Sequence, residues 1–255
     1  MNQEALLLRH DQGGVVTLTL NRPAQFNALS TELLTELQAA LDKVSADGTA
    51  RVVVIAGAGR AFCAGHDLKQ MRAHHDKAYM QQLFKQCGRV MTTITELPQP
   101  VIARVHGIAT AAGCQLVASC DLAVAADVAK FAVSGINVGL FCSTPAVALS
   151  RNLGRKQALE MLLTGEFIDA LEAQRRGLVN RVCPADALDA EVQRLTDSIC
   201  AKSQTAIRMG KQLFYRQLEM GVMGAYQLAG ENMACNMITN DAVAGIDGLM
   251  NKKKS

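Results

Sequence analysis

Two segments of this sequence carry residues whose types and spacing could do chemistry. The first is Arg60-Ala61-Phe62-Cys63-Ala64-Gly65-His66-Asp67-Leu68. A loop of small residues lets a ligand approach the backbone closely. The second runs from Pro100 to Val105, through His106-Gly107, to Ala112-Gly113-Cys114-Gln115-Leu116. There a short apolar strand leads into a helix through Ala and Gly. The first N–H groups of a helix have no intrahelical acceptor, and the helix dipole favours negative charge beyond them. Two such N–H groups converging on one point would form an oxyanion hole for an enolate or a tetrahedral oxygen. Taken singly, either segment reads at least as well as tight packing, because glycine loops are common punctuation.

The elements that must position these segments follow from the residue pattern. Ala5 to His10 and Val15 to Leu20 flank Asp11-Gln12-Gly13-Gly14, which predicts a hairpin with glycines where positive φ is needed. Ser30 caps a helix whose Leu34, Leu37, Leu41 and Val44 recur at helical spacing, and Asp47-Gly48 stops it. Arg51 to Ala56 and Val101 to Val105 read as buried strands, Tyr79 to Leu97 as a helix ended by Pro98 and Pro100. Gly113 to Ser119 reads as a short helix and Leu122 to Ala125 as a strand. Strand–helix alternation of this kind predicts an α/β fold with parallel pairing. From Ser143 onward the pattern is mostly helical: 155–163, 169–176, 186–201, 204–220 and 225–237, with Val179 to Val182 the only strand.

The 255 residues are ample for a large core, and 49% of them are apolar. A net charge of +3 is too weak to argue for nucleic acid. The longest apolar stretch, Gly107 to Ala126, is interrupted by Gln115, Ser119 and Asp121, so it reads as core and not as a membrane span. Eight cysteines without CxxC pairs or Cys/His clusters point to reduced thiols and to no metal site. With an N-terminus unlike a signal or transit peptide, the expected location is cytoplasmic.

Ala64-Gly65-His66-Asp67-Leu68 resembles the oxyanion-loop motif of the enoyl-CoA hydratase/isomerase (crotonase) family, a small residue followed by Gly-x-Asp-Leu. Pro100 to Asp121 is similar to the family's second motif. Asn21-Arg22-Pro23 with Asn27-Ala28-Leu29, Leu159 to Glu166, and Ala173 to Val182 extend the resemblance over nearly the whole chain in order. It implies a spiral of β-β-α units with a C-terminal helical trimerisation region. Residues 1–195 would form the acyl-CoA-binding core and 196–255 a helical region of the same fold unit. It also implies a coenzyme A thioester as substrate or ligand, no permanently bound cofactor, and a homotrimer or a hexamer of paired trimers. By the same resemblance the N–H groups of Ala64 and Ala112 are the oxyanion donors. Gln25, Phe26 and Ala28 would line the coenzyme A site with Gly65, His66, Asp67 and Gly113. Lys252 stands where the family places a basic residue near the nucleotide; read by itself, Lys252-Lys253-Lys254 is equally a solvated tail.

The sequence departs from the family where hydration needs a proton acceptor and a proton donor. Family hydratases use paired carboxylates, which can be held one charged and one neutral. Here the first position is Gln115 and the second, matched without gaps through Cys120-Asp121, is Gly135. Substitutes are few: Ser134, Asn137, His66 and the Phe141-Cys142-Ser143-Thr144-Pro145 segment, each of which also reads as packing or a structural hydrogen bond. Two outcomes are therefore expected: an acyl-CoA enzyme of weak or altered reaction (isomerisation, decarboxylation, thioester hydrolysis), or a silent acyl-CoA binder. His74-His75, in a charged stretch, reads as exposed.

Overall fold

The computed structural model describes residues 5–252, with side chains to 251. The chain opens with β1 (Leu7–Gln12), β2 (Val15–Leu20), α1 (Thr31–Ala46), β3 (Val52–Gly57) and β4 (Ala61–Cys63). Then come α2 (Leu68–Ala73), α3 (Lys77–Glu96), β5 (Val101–Val105), β6 (Ile108–Thr110) and α4 (Ala112–Ser119). They are followed by β7 (Leu122–Ala126), β8 (Lys130–Ala132), α5 (Ser143–Asn152), α6 (Arg155–Thr164), β9 (Ile168–Asp169), α7 (Ala170–Arg176) and β10 (Arg181–Cys183). The helices α8 (Leu188–Cys200), α9 (Gln204–Leu218), α10 (Val222–Met237) and α11 (Asn240–Lys252) complete it.

Six strands form one sheet in the order β1-β2-β3-β5-β7-β10, and four form a second in the order β4-β6-β8-β9. Among the described residues only β1–β2 and β8–β9 pair antiparallel. The pairs β3/β4, β5/β6 and β7/β8 each put one strand in each sheet before the chain returns, so the path is a spiral. Val52, Val53, Val54 and Ile55 are all buried, as expected for a parallel strand covered on both faces. One face packs on α1, α3 and α4 in the main core, with Leu34, Leu37, Leu41, Val90 and Leu116. On the other face α8 brings Leu188, Val192 and Leu195 against Val52, Val54, Ile102 and Val124.

Local chemistry explains the element ends. Gly13 and Gly14 turn the hairpin at φ 59° and 82°. The Ser30 side chain accepts the Leu33 N–H at the start of α1. The short strands β4, β6, β8 and β9 and the helices α2, α5 and α11 were not legible in the pattern. A three-residue strand shows no periodicity, and each pairs only with another turn of the spiral.

Candidate active site

Loop 22–29 is the frame. Phe26 and Asn27 both take the left-handed region, at φ 51° and 55°. Asn27 is fully buried, and its Nδ2 donates to the carbonyls of Ala58 and Ala61, each at 2.8 Å. Its Oδ1 accepts the Arg22 N–H at 2.9 Å. Arg22 in turn donates to Asp67 Oδ2 at 2.9 Å and to the Ala28 carbonyl. Asp67 accepts the N–H groups of Lys69 and Gln70, so it caps α2 while pinning the loop. Burial works against its charge, but Arg22 and those N–H groups outweigh it and hold its carboxyl below the usual range.

On this frame the Ala64-to-Asp67 segment lies beside Leu29. Leu29 N–H donates to the Gly65 carbonyl at 2.8 Å, and Asp67 N–H to the Leu29 carbonyl at 3.2 Å. Ala64 N–H donates to the Phe26 carbonyl at 3.0 Å. The expectation that Ala64 is a free donor is therefore corrected, because its hydrogen is already committed to the frame. His66 N–H lies on the side away from Leu29 and has no hydrogen-bond acceptor among the described residues.

A second N–H without an acceptor among the described residues comes from α4. Ala111 sits at φ 50°, ψ −121°, off the regions an Ala prefers, at a cost of about 1–3 kcal/mol. Its N–H donates to the Ala132 carbonyl and its carbonyl accepts from Gln115, each at 3.0 Å, so both sides hold it there. The turn leaves the Ala112 N–H at the helix start without an acceptor among the described residues. Gly65, at φ 94°, brings the two segments together: a Cβ there would lie 2.8 Å from Ala111 Cβ and 3.2 Å from Ala112 N. At Gly113 a Cβ would lie 2.1 Å from the Cys63 carbonyl oxygen, so α4 can seat on β4 only with glycine at that position.

Gln115 is 4% exposed and its Oε1 has no hydrogen-bond partner. Gly135 follows Ser134, whose hydroxyl meets Thr110 Oγ1 at 2.8 Å, close to the Ala111 turn. A Cβ on Gly135 would lie 2.6 Å from the Leu140 carbonyl oxygen and 2.7 Å from Cys142 Sγ. The space where a side chain would begin is thus occupied. Asn137 instead faces the Gly165 carbonyl at 3.5 Å. Burial pushes the Cys63 and Cys114 thiols up to about 12 and raises that of Cys142, so these sulfurs stay protonated. Burial lowers His66 to about 4, which leaves a neutral ring, packed edge-on to Phe84 at 5.5 Å.

Ala28 is buried beneath the loop, while Gln25 and Phe26 are exposed, with the Arg60 guanidinium 4.3 Å above the Phe26 ring. His74 and His75 are exposed, and His74 stacks on Tyr79. Lys252 ends α11, and its side chain lies outside those described.

A family model described as enoyl-CoA hydratase/isomerase matches residues 10–255. The chain is 44% identical over 249 residues to enoyl-CoA hydratase domain-containing protein 3, mitochondrial, of Xenopus laevis, covering 98% of this chain and 85% of that protein. The Homo sapiens protein of the same name is 43% identical, with coverage of 94% and 80%. A crystal structure of an enoyl-CoA hydratase from Mycobacterium smegmatis superposes with a TM-score of 0.97 at 58% identity, covering 98% of this chain and 97% of that one. These relatives correct the expected cytoplasmic location, since the frog and human proteins are named as mitochondrial. Reduced thiols report a redox environment and do not separate one reducing compartment from another. With the family model spanning almost the whole chain and the fold shared at this level, the chain belongs to the enoyl-CoA hydratase/isomerase family.

Proposed function

We propose that this protein binds acyl thioesters of coenzyme A and stabilises a thioester enolate between the N–H groups of His66 and Ala112. The observation that carries this reading is the pair of unpartnered N–H groups brought together across Gly65. Donors fixed in advance stabilise a developing oxyanion without reorganisation, and one such donor is worth about 3–4 kcal/mol. Holding Ala111 in a strained conformation has a purpose if it aims the Ala112 N–H. Gln25, Phe26 and Ala28, with Gly65, Asp67 and Gly113, form the coenzyme A side of this site, and Lys252 is assigned to the nucleotide end. The chemistry needs no permanently bound cofactor and no metal.

Plain hydration is disfavoured by the same geometry. Gln115 cannot accept a proton from water near neutral pH, and Gly135 offers no side chain. Each missing acid–base contribution is worth about 10²–10⁴-fold. Weak turnover, or another enolate reaction of the family, fits these residues better. A silent acyl-CoA binder is the second reading, favoured by the Cys142 sulfur that fills the space at Gly135. Residues 1–195 serve as the binding core and 196–255 as a helical region of the same unit. That region leaves Met223 86%, Ile238 81% and Tyr226 78% exposed, which supports assembly as a trimer or a pair of trimers.

The test is the loss of conjugated-enoyl absorbance of crotonyl-CoA, beside Gln115→Ala, with titration of coenzyme A by calorimetry. Turnover that falls in the variant supports hydration assisted by Gln115. Binding without turnover moves the assignment to another reaction or to silent binding. Absence of both rejects the reading.

A further inference from the structure

A groove lies between the large sheet and α8, on the face opposite the one that packs on α4. It encloses about 350 Å³. The strand register explains it. Thr19 of β2 pairs with Ala56 of β3, and Ala56 stands level with Arg104 of β5, two residues beyond the Val54–Ile102 pair. Ala56 and the following Gly57 carry too little side chain to fill the gap beneath α8, so they form a floor. Val15, Val54 and Val192 give the groove apolar walls.

Arg104 is the charged side chain that the sheet contributes to this groove, and it is half-buried. Its Nε donates to Asp189 Oδ1, while its two terminal amino groups have no acceptor among the described residues. The Thr19 hydroxyl, facing Arg104 across Ala56, makes no hydrogen bond among them either. The other donors on α8 are committed, Thr196 to the Gln193 carbonyl and Gln193 to Asp197. Asp189 is 81% exposed, so its pairing with Arg104 contributes little and yields easily to a competitor.

We propose that this groove binds a short aliphatic monocarboxylate, with its carboxylate on the Arg104 fork and its hydrocarbon chain on Val15, Val54 and Val192. A planar guanidinium meets a carboxylate through two parallel N–H···O bonds, and it has the free donors to do so here. A second negative charge would face Asp189, so a dicarboxylate or a phosphate dianion fits less well. The groove draws no residue from the Gly65 loop or from α4, and the inference stands apart from the acyl-thioester reading.

The test is an NMR titration of the assembled protein with butyrate, read as saturation transfer to its methyl protons, with and without coenzyme A. Butyrate should bind with a millimolar dissociation constant, unaffected by coenzyme A, while butyramide, succinate and inorganic phosphate should displace it poorly. Arg104→Gln should weaken butyrate by about tenfold or more. Asp189→Asn, an exposed and isosteric change, should tighten it by about threefold, because the competing carboxylate is gone. That variant reads the site even if Arg104→Gln fails to fold, and a merely structural ion pair would not produce the gain. No saturation transfer from butyrate would overturn the proposal. So would affinity unchanged or weakened in Asp189→Asn, affinity unchanged in a folded Arg104→Gln, or loss of butyrate on adding coenzyme A. Displacement by butyramide or phosphate at the same concentration as butyrate would overturn the monocarboxylate assignment.

Discussion

At position 66 the backbone and the side chain have separate tasks. The N–H faces the proposed oxyanion, while the ring is buried against Phe84 and held neutral. That burial has a consequence for stability. The unfolded imidazole titrates near 6.5 and the folded one at about 4, so between those values the unfolded chain binds more protons. Stability is complete above about pH 6.5 and falls as pH drops towards 4, by up to about 3 kcal/mol. Urea denaturation at pH 7 and pH 4.5 should show this loss, and His66→Leu should reduce it. An acid limb equally steep in the variant would assign the loss to other groups. Gln115 and Gly135 could be picked out as candidates from the sequence, because residue identity at a matched motif position is visible residue by residue. The filled space at Gly135 could not, since Cys142 and Leu140 reach it only through the fold. The same limit applies to the Ala64 N–H, which is bonded to the Phe26 carbonyl. Ala64 and His66 are two residues apart, and only the Phe26 carbonyl distinguishes them.

At the scale of elements, the site depends on how closely α4 approaches β4. Gly113 permits the contact with the Cys63 carbonyl, and Gly113→Ala forces the two apart. Overpacking of this kind costs about 1–3 kcal/mol. The melting temperature should drop by several degrees, and affinity for butyryl-CoA should fall as the Ala112 N–H moves. Gly88 in α3 has open space around it, so Gly88→Ala should instead stabilise by up to about 1 kcal/mol through helix propensity. Equal melting points for the two variants would contradict this account. The long elements α1, α3, β2 and β3 were readable because their apolar residues repeat over several turns or alternations. The three-residue strands β4, β6 and β8, which carry the site, were not, because pairing between distant segments sustains them.

For the whole molecule, the C-terminal helices are fastened to the core by a buried cluster. Lys211 Nζ on α9 lies 2.6 Å from Asp121 Oδ2 and also donates to the carbonyls of Ile94 and Gln99. Tyr215 donates its hydroxyl to Asp121 Oδ1 at 2.8 Å. Burial pushes the Asp121 carboxyl up and the Lys211 ammonium down, and each charge opposes the shift of the other. Lys211→Met leaves Asp121 without its counter-charge, so chemical denaturation should show a loss of about 3–5 kcal/mol. Adding Asp121→Asn should recover part of it, and no recovery would mean that Lys211 acts through packing alone. Truncation before Asn240 removes α11, whose Asp241 bonds Ser203 at the start of α9. Light scattering should then report a smaller assembly, and an unchanged mass would count against the helical region as its interface. The sequence by itself determined the α/β class, the family and the long amphipathic elements, because local periodicity and residue identity carry that information. Only the tertiary structure decided which N–H groups are free, what fills the space at Gly135 and where α9 is anchored. Those properties depend on atoms far apart in the chain, whose contacts exist only once backbone hydrogen bonds and packing have brought them together.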